Sequence, residues 1–348
     1  MPVTKSLTAL PAENVKATVR AALVGENRVI SLLVLTGVAW LLFSFFGTGF
    51  LSSFNINSLT QQLALTGVVG FAQAALMVLG RINLAVGGIG VVVVMSIGLM
   101  SNYTPAPLPV IMVIALFVGA VAGAIMAVIE IYTKLNSFVV TLAFLSIYQG
   151  GVLLATRATH FPISSPALLW LGNGTFLSPY LSPLFVVAIG VAILLWLFYG
   201  RTSAGWKSRA VGANERTAAA SGINVRGTLL LGYVISGLMS AVAAIMATAN
   251  LAEASPSTGS DWLLLSFIGP LLAVIALSGG TISIGGIVGG SLFYGSIFSG
   301  LVILNVPTYW LTLVQALLLL AALIFGQFGR FLSRWPVRTK KEGEVNSA

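Results

Sequence analysis

The chain has 348 residues, of which 57% are hydrophobic and only 7% charged, with a mean hydropathy of +1.02; a soluble domain is about a quarter charged, so a water-facing surface over most of the molecule is excluded. Cysteine is absent and His160 is the only histidine, which excludes a disulfide framework, thiol chemistry and a zinc site with its three or four protein ligands. The net charge of +9 raises the question of nucleic acid, but the placement of the charges answers it otherwise.

Residues 1–28 are mixed polar and hold Lys5, Lys16, Arg20 and Arg28. No short apolar core with a cleavage site comes early, so this reads as a cytoplasmic N-terminal segment, and the first apolar span is expected to act as an uncleaved anchor. About 20 apolar residues cross a bilayer as a helix. On that measure about ten spans are predicted, at 29–50, 59–80, 84–101, 108–131, 138–156, 182–199, 228–250, 262–278, 286–304 and 308–326. Pro105, Pro107 and Pro109 punctuate one loop, and Pro162, Pro166, Pro179 and Pro183 a longer one. The longer loop contains an apolar stretch, 167–171, suited to the membrane interface. A transmembrane domain over 29–328 and a basic tail over 329–348 complete the chain.

With the N-terminus inside, all but Arg157 of the 17 Lys and Arg fall on the cytoplasmic side. The positive-inside rule then puts both termini in the cytoplasm. The predicted fold class is an all-α polytopic membrane protein in the cytoplasmic membrane, covered by lipid, and nucleic acid is not a partner. Gly119/Gly123, Gly285/Gly289 and Gly286/Gly290 are small residues four apart and are expected to let helix backbones approach. Glu130 and Lys134 are also four apart, which predicts an interfacial ion pair of small worth.

The loop 200–227 is polar and basic. Asn214 is placed to cap a short helix, with Glu215 in its first turn and Gly222 as a left-handed stop. Such a helix beneath the membrane suits contact with a soluble engine. Gly200 to Ser208 nearly spells a phosphate-binding loop, but Trp206 separates Gly205 from Lys207 and no strand precedes it, so nucleotide binding lies elsewhere.

Polar side chains inside spans line pathways or stabilise packing. The candidates are Gln61, Gln62, Gln73, Asn83, Thr141, Ser146, Gln149 and Asn250, all neutral, so they offer hydrogen bonds without a fixed charge. Arg157, Glu253 and Asp261 lie on outer loops, where they would meet a partner arriving at the outer face. A membrane enzyme would need a buried acid/base pair, an activated nucleophile or a metal cluster, and a proton-coupled carrier needs carboxylates or histidines within spans. Neither set is visible mid-span. A sodium-coupled carrier using backbone carbonyls is the rival of another class.

Several stretches carry a resemblance. Ala210-Val-Gly-Ala-Asn214-Glu-Arg-Thr-Ala-Ala-Ala-Ser221-Gly222-Ile-Asn224-Val resembles the cytoplasmic signature A-x-G-x-N-x-x-A-A-x-x-S-G-I-N-V of the ribose/xylose/arabinose-type ABC sugar permeases. Gly80-Arg-Ile-Asn83-Leu-Ala-Val-Gly87 is similar to their G-G-I-D-L-S-V-G. Residues 137–150 are similar to P-F-I-V-T-L-x-x-x-x-I-x-R-G, and Leu277-Ser-Gly279-Gly280-Thr281 with Gly285, Gly286 and Gly289 to a last glycine-rich stretch. The match spans roughly 50–328 within a superfamily that also includes branched-chain amino acid permeases.

The resemblance implies the ABC importer permease fold and a dimer with a second copy or a paralogue. It implies a cytoplasmic ABC ATPase contacted through Asn214, Glu215, Arg216, Ser221 and Gly222, and an extracytoplasmic sugar-binding protein. ATP and Mg would be held by the ATPase, with no cofactor in this chain. Branched-chain amino acids or nucleosides are the alternative substrates. The chain departs from the pattern at Arg81 (glycine), Asn83 (aspartate), Gln149 (arginine) and Met126-Ala127 (asparagine-glycine).

Overall fold

The computed structural model describes residues 28–176, 179–276 and 283–333. Most of segment 1–28, residues 334–348 of the tail and Leu277 to Thr281 of the glycine-rich stretch lie outside the described residues. The elements in chain order are α1 (Arg28–Phe46), α2 (Ser53–Met77), α3 (Val86–Tyr103), α4 (Leu108–Thr133), α5 (Ser137–Thr156), β1 (Phe161–Pro162), α6 (Pro166–Asn173), α7 (Pro183–Arg201), α8 (Ser203–Ala213), α9 (Glu215–Ala220), α10 (Val225–Leu251), β2 (Glu253–Ala254), α11 (Trp262–Ala276), α12 (Ile284–Ile303) and α13 (Thr308–Ser333). The strands form one antiparallel pair, Phe161 opposite Ala254 and Pro162 opposite Glu253.

Each predicted span falls on a helix. Six helices are long and apolar enough to cross a membrane, namely α3, α4, α5, α7, α10 and α12; α1, α11 and α13 contain shorter apolar windows. The 25-residue α2 carries Asn55, Asn57, Gln61, Gln62 and Gln73, which lowers its apolarity. It is compensated by position: nearly all of its second half is buried inside the bundle, packed on α10, α11, α12 and α7. The proline-bounded stretch 167–171 forms the short helix α6, started by Pro166 at its first turn. Gly172 there lies directly on the Ala249 carbonyl of α10.

The closest pairing is α4 on α10. Gly119 and Gly123 of α4 meet Gly237 and the Tyr233 carbonyl of α10 backbone to backbone. Between helices in lipid there is little hydrophobic drive, so dispersion at this close range and the absence of Cβ atoms hold them. Gly286 and Gly290 likewise take Ala273, Leu272 and Gly269 of α11, whereas Gly285 meets nothing within 4 Å among the described residues. By contrast α5 packs on α3 and α4 along one side only, and its window is 17% buried.

A methyl built on Gly119 would fall 2.6 Å from both the Gly237 carbonyl oxygen and the Ala241 methyl. Gly119→Val is therefore expected to cost about 1–3 kcal/mol or more, read as a lower thermal midpoint in detergent. Gly190→Ala on α7, where nothing lies within 4 Å, is expected to leave the midpoint unchanged or raise it slightly.

Candidate functional site

The helix ends sort into two sets. One end of the bundle gathers the α2–α3 connection, the α4–α5 turn and α9 with the start of α10. The Arg81 guanidinium joins them: its Nε donates to Glu130 Oε1 at 2.7 Å and its Nη2 to Glu215 Oε2 at 2.8 Å. Glu130 lies in the last turn of α4 and is 4% exposed, and its second oxygen accepts a hydrogen bond from the Tyr233 hydroxyl of α10. Glu130 is thus directed at Arg81 and Tyr233, and the expected pair with Lys134 is not formed. The i,i+4 rule describes an exposed helix face, and this carboxylate faces the bundle. Lys134 instead ends α4 in a left-handed conformation. Burial opposes the charge on Arg81, but its hydrogen bonds to Glu130 and Glu215 and their charges outweigh that and hold the guanidinium above the usual arginine range.

The predicted cap is formed. Asn214 Oδ1 accepts from the Thr217 amide at 3.0 Å, α9 runs Glu215–Ala220, and Gly222 has φ +81°. Ala218 is the buried residue of α9, and Arg216, Ser221 and Gly222 are exposed. Helix α8 precedes it, capped by the Thr202 hydroxyl on the Gly205 amide at 3.1 Å. The sequence reading missed α8, although threonine three residues before an amide in need of a partner is the signal that marks it.

Just inside this end, Asn83 is fully buried. Its Oδ1 accepts from the Ala85 amide and its Nδ2 donates to Ser236 Oγ of α10, both at 2.8 Å. Ser236 spends its one proton on the Ala72 carbonyl of α2 at 2.6 Å. Thr141 is buried beside the same connection: its hydroxyl donates to the Ser137 carbonyl at 2.8 Å, and Ser137 Oγ accepts from the Ile82 amide at 3.3 Å. Gln73 is fully buried further along α2, and among the described residues neither of its amide atoms has a hydrogen-bond partner.

The opposite end gathers the start of α2, α6, the start of α7 and the ends of α10 and α12. A cavity of about 220 Å³ is lined there by Asn55, Ser58, Gln61, Gln62, Asn250 and Ser299, closed by Leu184, Met246 and Phe298. Asn250 Nδ2 donates to Gln61 Oε1 at 3.0 Å, and Gln61 Nε2 donates to Asn57 Oδ1 at 3.0 Å and to the Gly172 carbonyl at 3.2 Å. Ser299 donates to Asn55 Oδ1 at 2.9 Å. A larger adjoining cavity shares Gln62, Leu65 and Phe298 and adds Asp261, Tyr294 and Gln315.

The predicted path residues therefore fall into two groups, Asn83 with Thr141 at one end and Asn250 at the other, with Gln73 on the helix between them. Ser146 and Gln149 are not brought to either group. Both lie on α5, Ser146 exposed and Gln149 half-buried. Of the docking candidates, Asp261 borders the larger cavity. Glu253 lies on β2 with the His160 Nδ1 3.9 Å away, and Arg157 ends α5 exposed, in a left-handed conformation. Gln61 and Gln62 stand in the cavity wall beside Asn55, Ser58 and Ser299, which the sequence did not single out.

The bundle has a cavity with polar lining at one end and an exposed short helix at the other, and comparison with known proteins supplies its class. Residues 54–323 match the family described as the branched-chain amino acid transport system / permease component. The chain is 31% identical over 273 residues to the galactofuranose transporter permease protein YtfT of Escherichia coli (strain K12), covering 75% of this chain and 78% of that one. It is 27% identical to the ribose import permease protein RbsC of the same organism, covering 88% and 94%. It is 30% identical to the fructose import permease protein FrcC of Rhizobium meliloti, covering 82% and 81%. No solved structure matches the chain. The chain belongs to this family of transport permease components.

The direction of the Ser236 proton makes Asn83 a donor at a position where the motif it resembles has aspartate. In Asn83→Asp an acceptor would face Ser236 Oγ, and Ser236 would have to abandon Ala72. The expected loss is about 1–3 kcal/mol, measured as a lower unfolding midpoint of the purified protein, with Ser236→Ala partly offsetting it in the double variant.

Proposed function

We propose that this chain is the membrane-spanning permease subunit of a bacterial ABC importer that carries a sugar, driven by a separate ATPase and fed by an extracytoplasmic binding protein. The observation that carries the substrate class is the cavity at the Asn250 end. Its polar wall is made of amides and hydroxyls from Asn55, Ser58, Gln61, Gln62, Asn250 and Ser299, with no charged side chain in the lining. Such groups donate and accept to a polyol, and Asp261 lies in the adjoining cavity rather than in this lining. The galactofuranose, ribose and fructose permeases to which the chain is similar support the same class.

In this reading the Arg81 end is cytoplasmic and the Asn250 end faces the binding protein. The chain crosses the membrane about ten times, with both termini inside. The distribution of cations supports this sidedness. Arg81, Lys134, Lys207, Arg216 and Arg226 lie toward one end and Arg157 at the other. Trp206, beneath the Arg209 guanidinium at 5.1 Å, and Trp196, beneath Arg201 at 5.9 Å, fit the aromatic belt of the inner boundary. Helix α9 presents Asn214, Arg216, Ser221 and Gly222 to the ATPase, which holds ATP and Mg. Sugar passes from the amide-lined cavity along α2, past Gln73, toward the Asn83 region. Arg157, Glu253 and Asp261 offer docking charges to the binding protein. The α5 face bearing Ser146 and Gln149 is left for lipid or a second permease copy.

The test is reconstitution of the chain with its ATPase and binding protein in proteoliposomes. ATP-dependent sugar uptake that survives ionophores is expected; uptake that follows a sodium gradient without ATP, or competition by branched-chain amino acids in place of sugars, would overturn the reading. Asn250→Leu removes one hydrogen-bonding group from the cavity and is expected to lower the rate of uptake about tenfold. Arg216→Glu is expected to reduce the ATPase recovered with the tagged chain while leaving the chain in the membrane.

A further inference from the structure

We propose that Arg81 is the positioning residue through which a movement of α9 reaches the membrane helices. The inference rests on the reading of α9 as the ATPase contact. Among the described residues there are three ion pairs, and Arg81 makes both of those at its end of the bundle, one to Glu215 and one to Glu130. The two arms of the guanidinium are unlike. The Glu130 arm is buried, with that side chain 5% exposed, and the Glu215 arm is open, at 47%.

The buried arm ends in a rigid body. Glu130 is held a second time by the Tyr233 hydroxyl, and Tyr233 is fully buried one turn from the glycine contact that locks α10 to α4. The open arm ends on the first residue of a helix that has few other ties to the bundle. The arginine backbone is itself fixed, its amide donating to the Leu76 carbonyl at 3.0 Å. Two residues on, Asn83 ties the start of α3 to α10 through Ala85 and Ser236. A displacement of Glu215 is therefore delivered both to the α4–α10 pair and to the connection that carries Asn83.

The planar fork of arginine is what permits one side chain to hold two carboxylates in fixed directions; an ammonium is a point charge without that geometry. A cavity of about 310 Å³ lies against the network, lined by Lys134 and Arg226 as well as by the three charged partners. It offers Glu215 room to leave Arg81 and two cations, Lys134 and Arg226, to meet if it does. The position is glycine in the motif this segment resembles, and a glycine makes no such bridge, so the device belongs to this chain's own arginine.

The experiment measures sugar uptake and ATP hydrolysis in the same proteoliposomes for the wild type, Arg81→Gln, Glu215→Gln and the double variant, with the unfolding midpoint and ATPase recovery of each. The expected result is a fall of about tenfold in sugar carried per ATP in each single variant, with the double variant no worse than either. Should Arg81→Gln fail to fold because Glu130 is left buried, Arg81→Lys keeps a charge for Glu130 and loses the fork, and the same uncoupling is expected with the midpoint retained. Wild-type sugar per ATP in the folded Arg81 variant, or losses that multiply in the double variant, would overturn the proposal. Wild-type vesicles without ATP-dependent uptake would instead overturn the permease reading beneath it.

Discussion

Backbone contact between α4 and α10 is the constraint on which the rest of the bundle depends. In lipid, apolar side chains gain little by leaving one apolar surface for another, so helices must be held by close approach and by polar groups with no better partner. Gly119, Gly123 and Gly237 supply the first. The approach brings Tyr233 against the end of α4, where its hydroxyl meets Glu130. A carboxylate at that depth needs a cation as well, and Arg81 reaches it from the α2–α3 connection. Helix packing, the buried charge and the placement of α9 form one chain of cause.

The two ends of the molecule use polar groups differently. At the Arg81 end the polar groups are charged or directionally committed: the Ser236 proton goes to Ala72, the Asn83 amide to Ser236, the Tyr233 hydroxyl to Glu130. Such networks specify a single arrangement. At the Asn250 end the cavity wall is neutral, and amides such as Gln61 and Asn250 bond to one another. An amide can exchange a neighbouring amide for a hydroxyl of a ligand at little cost. One end suits the transmission of force, and the other suits transient recognition.

Features encoded within one turn of chain were legible in the sequence. The apolar spans, the Asn214 cap and the left-handed Gly222 all follow from short-range patterns. What escaped was set by distance along the chain. Asn250 meets Gln61 from 189 positions away and Arg81 meets Glu130 from 49, and no periodicity reports such pairings. The assignment of Glu130 to Lys134 failed because a local rule was applied to a residue facing the interior. Ser146 and Gln149 show the converse: polarity within a span does not say which way the helix faces, and α5 turns much of its surface outward.

The polarity of α2 bears on how the chain enters the membrane at all. Asn55, Asn57, Gln61, Gln62 and Gln73 lie on one 25-residue helix, only Gln73 among them is fully buried, and much of that helix packs on α10, α11 and α12, which begin at Val225. The ribosome makes those partners long after α2 has emerged. Partitioning one helix at a time into lipid favours the apolar α3, α4 and α5 over the α2 that precedes them. What makes α2 at home in the membrane is therefore less the lipid around it than the helices that follow it in the chain.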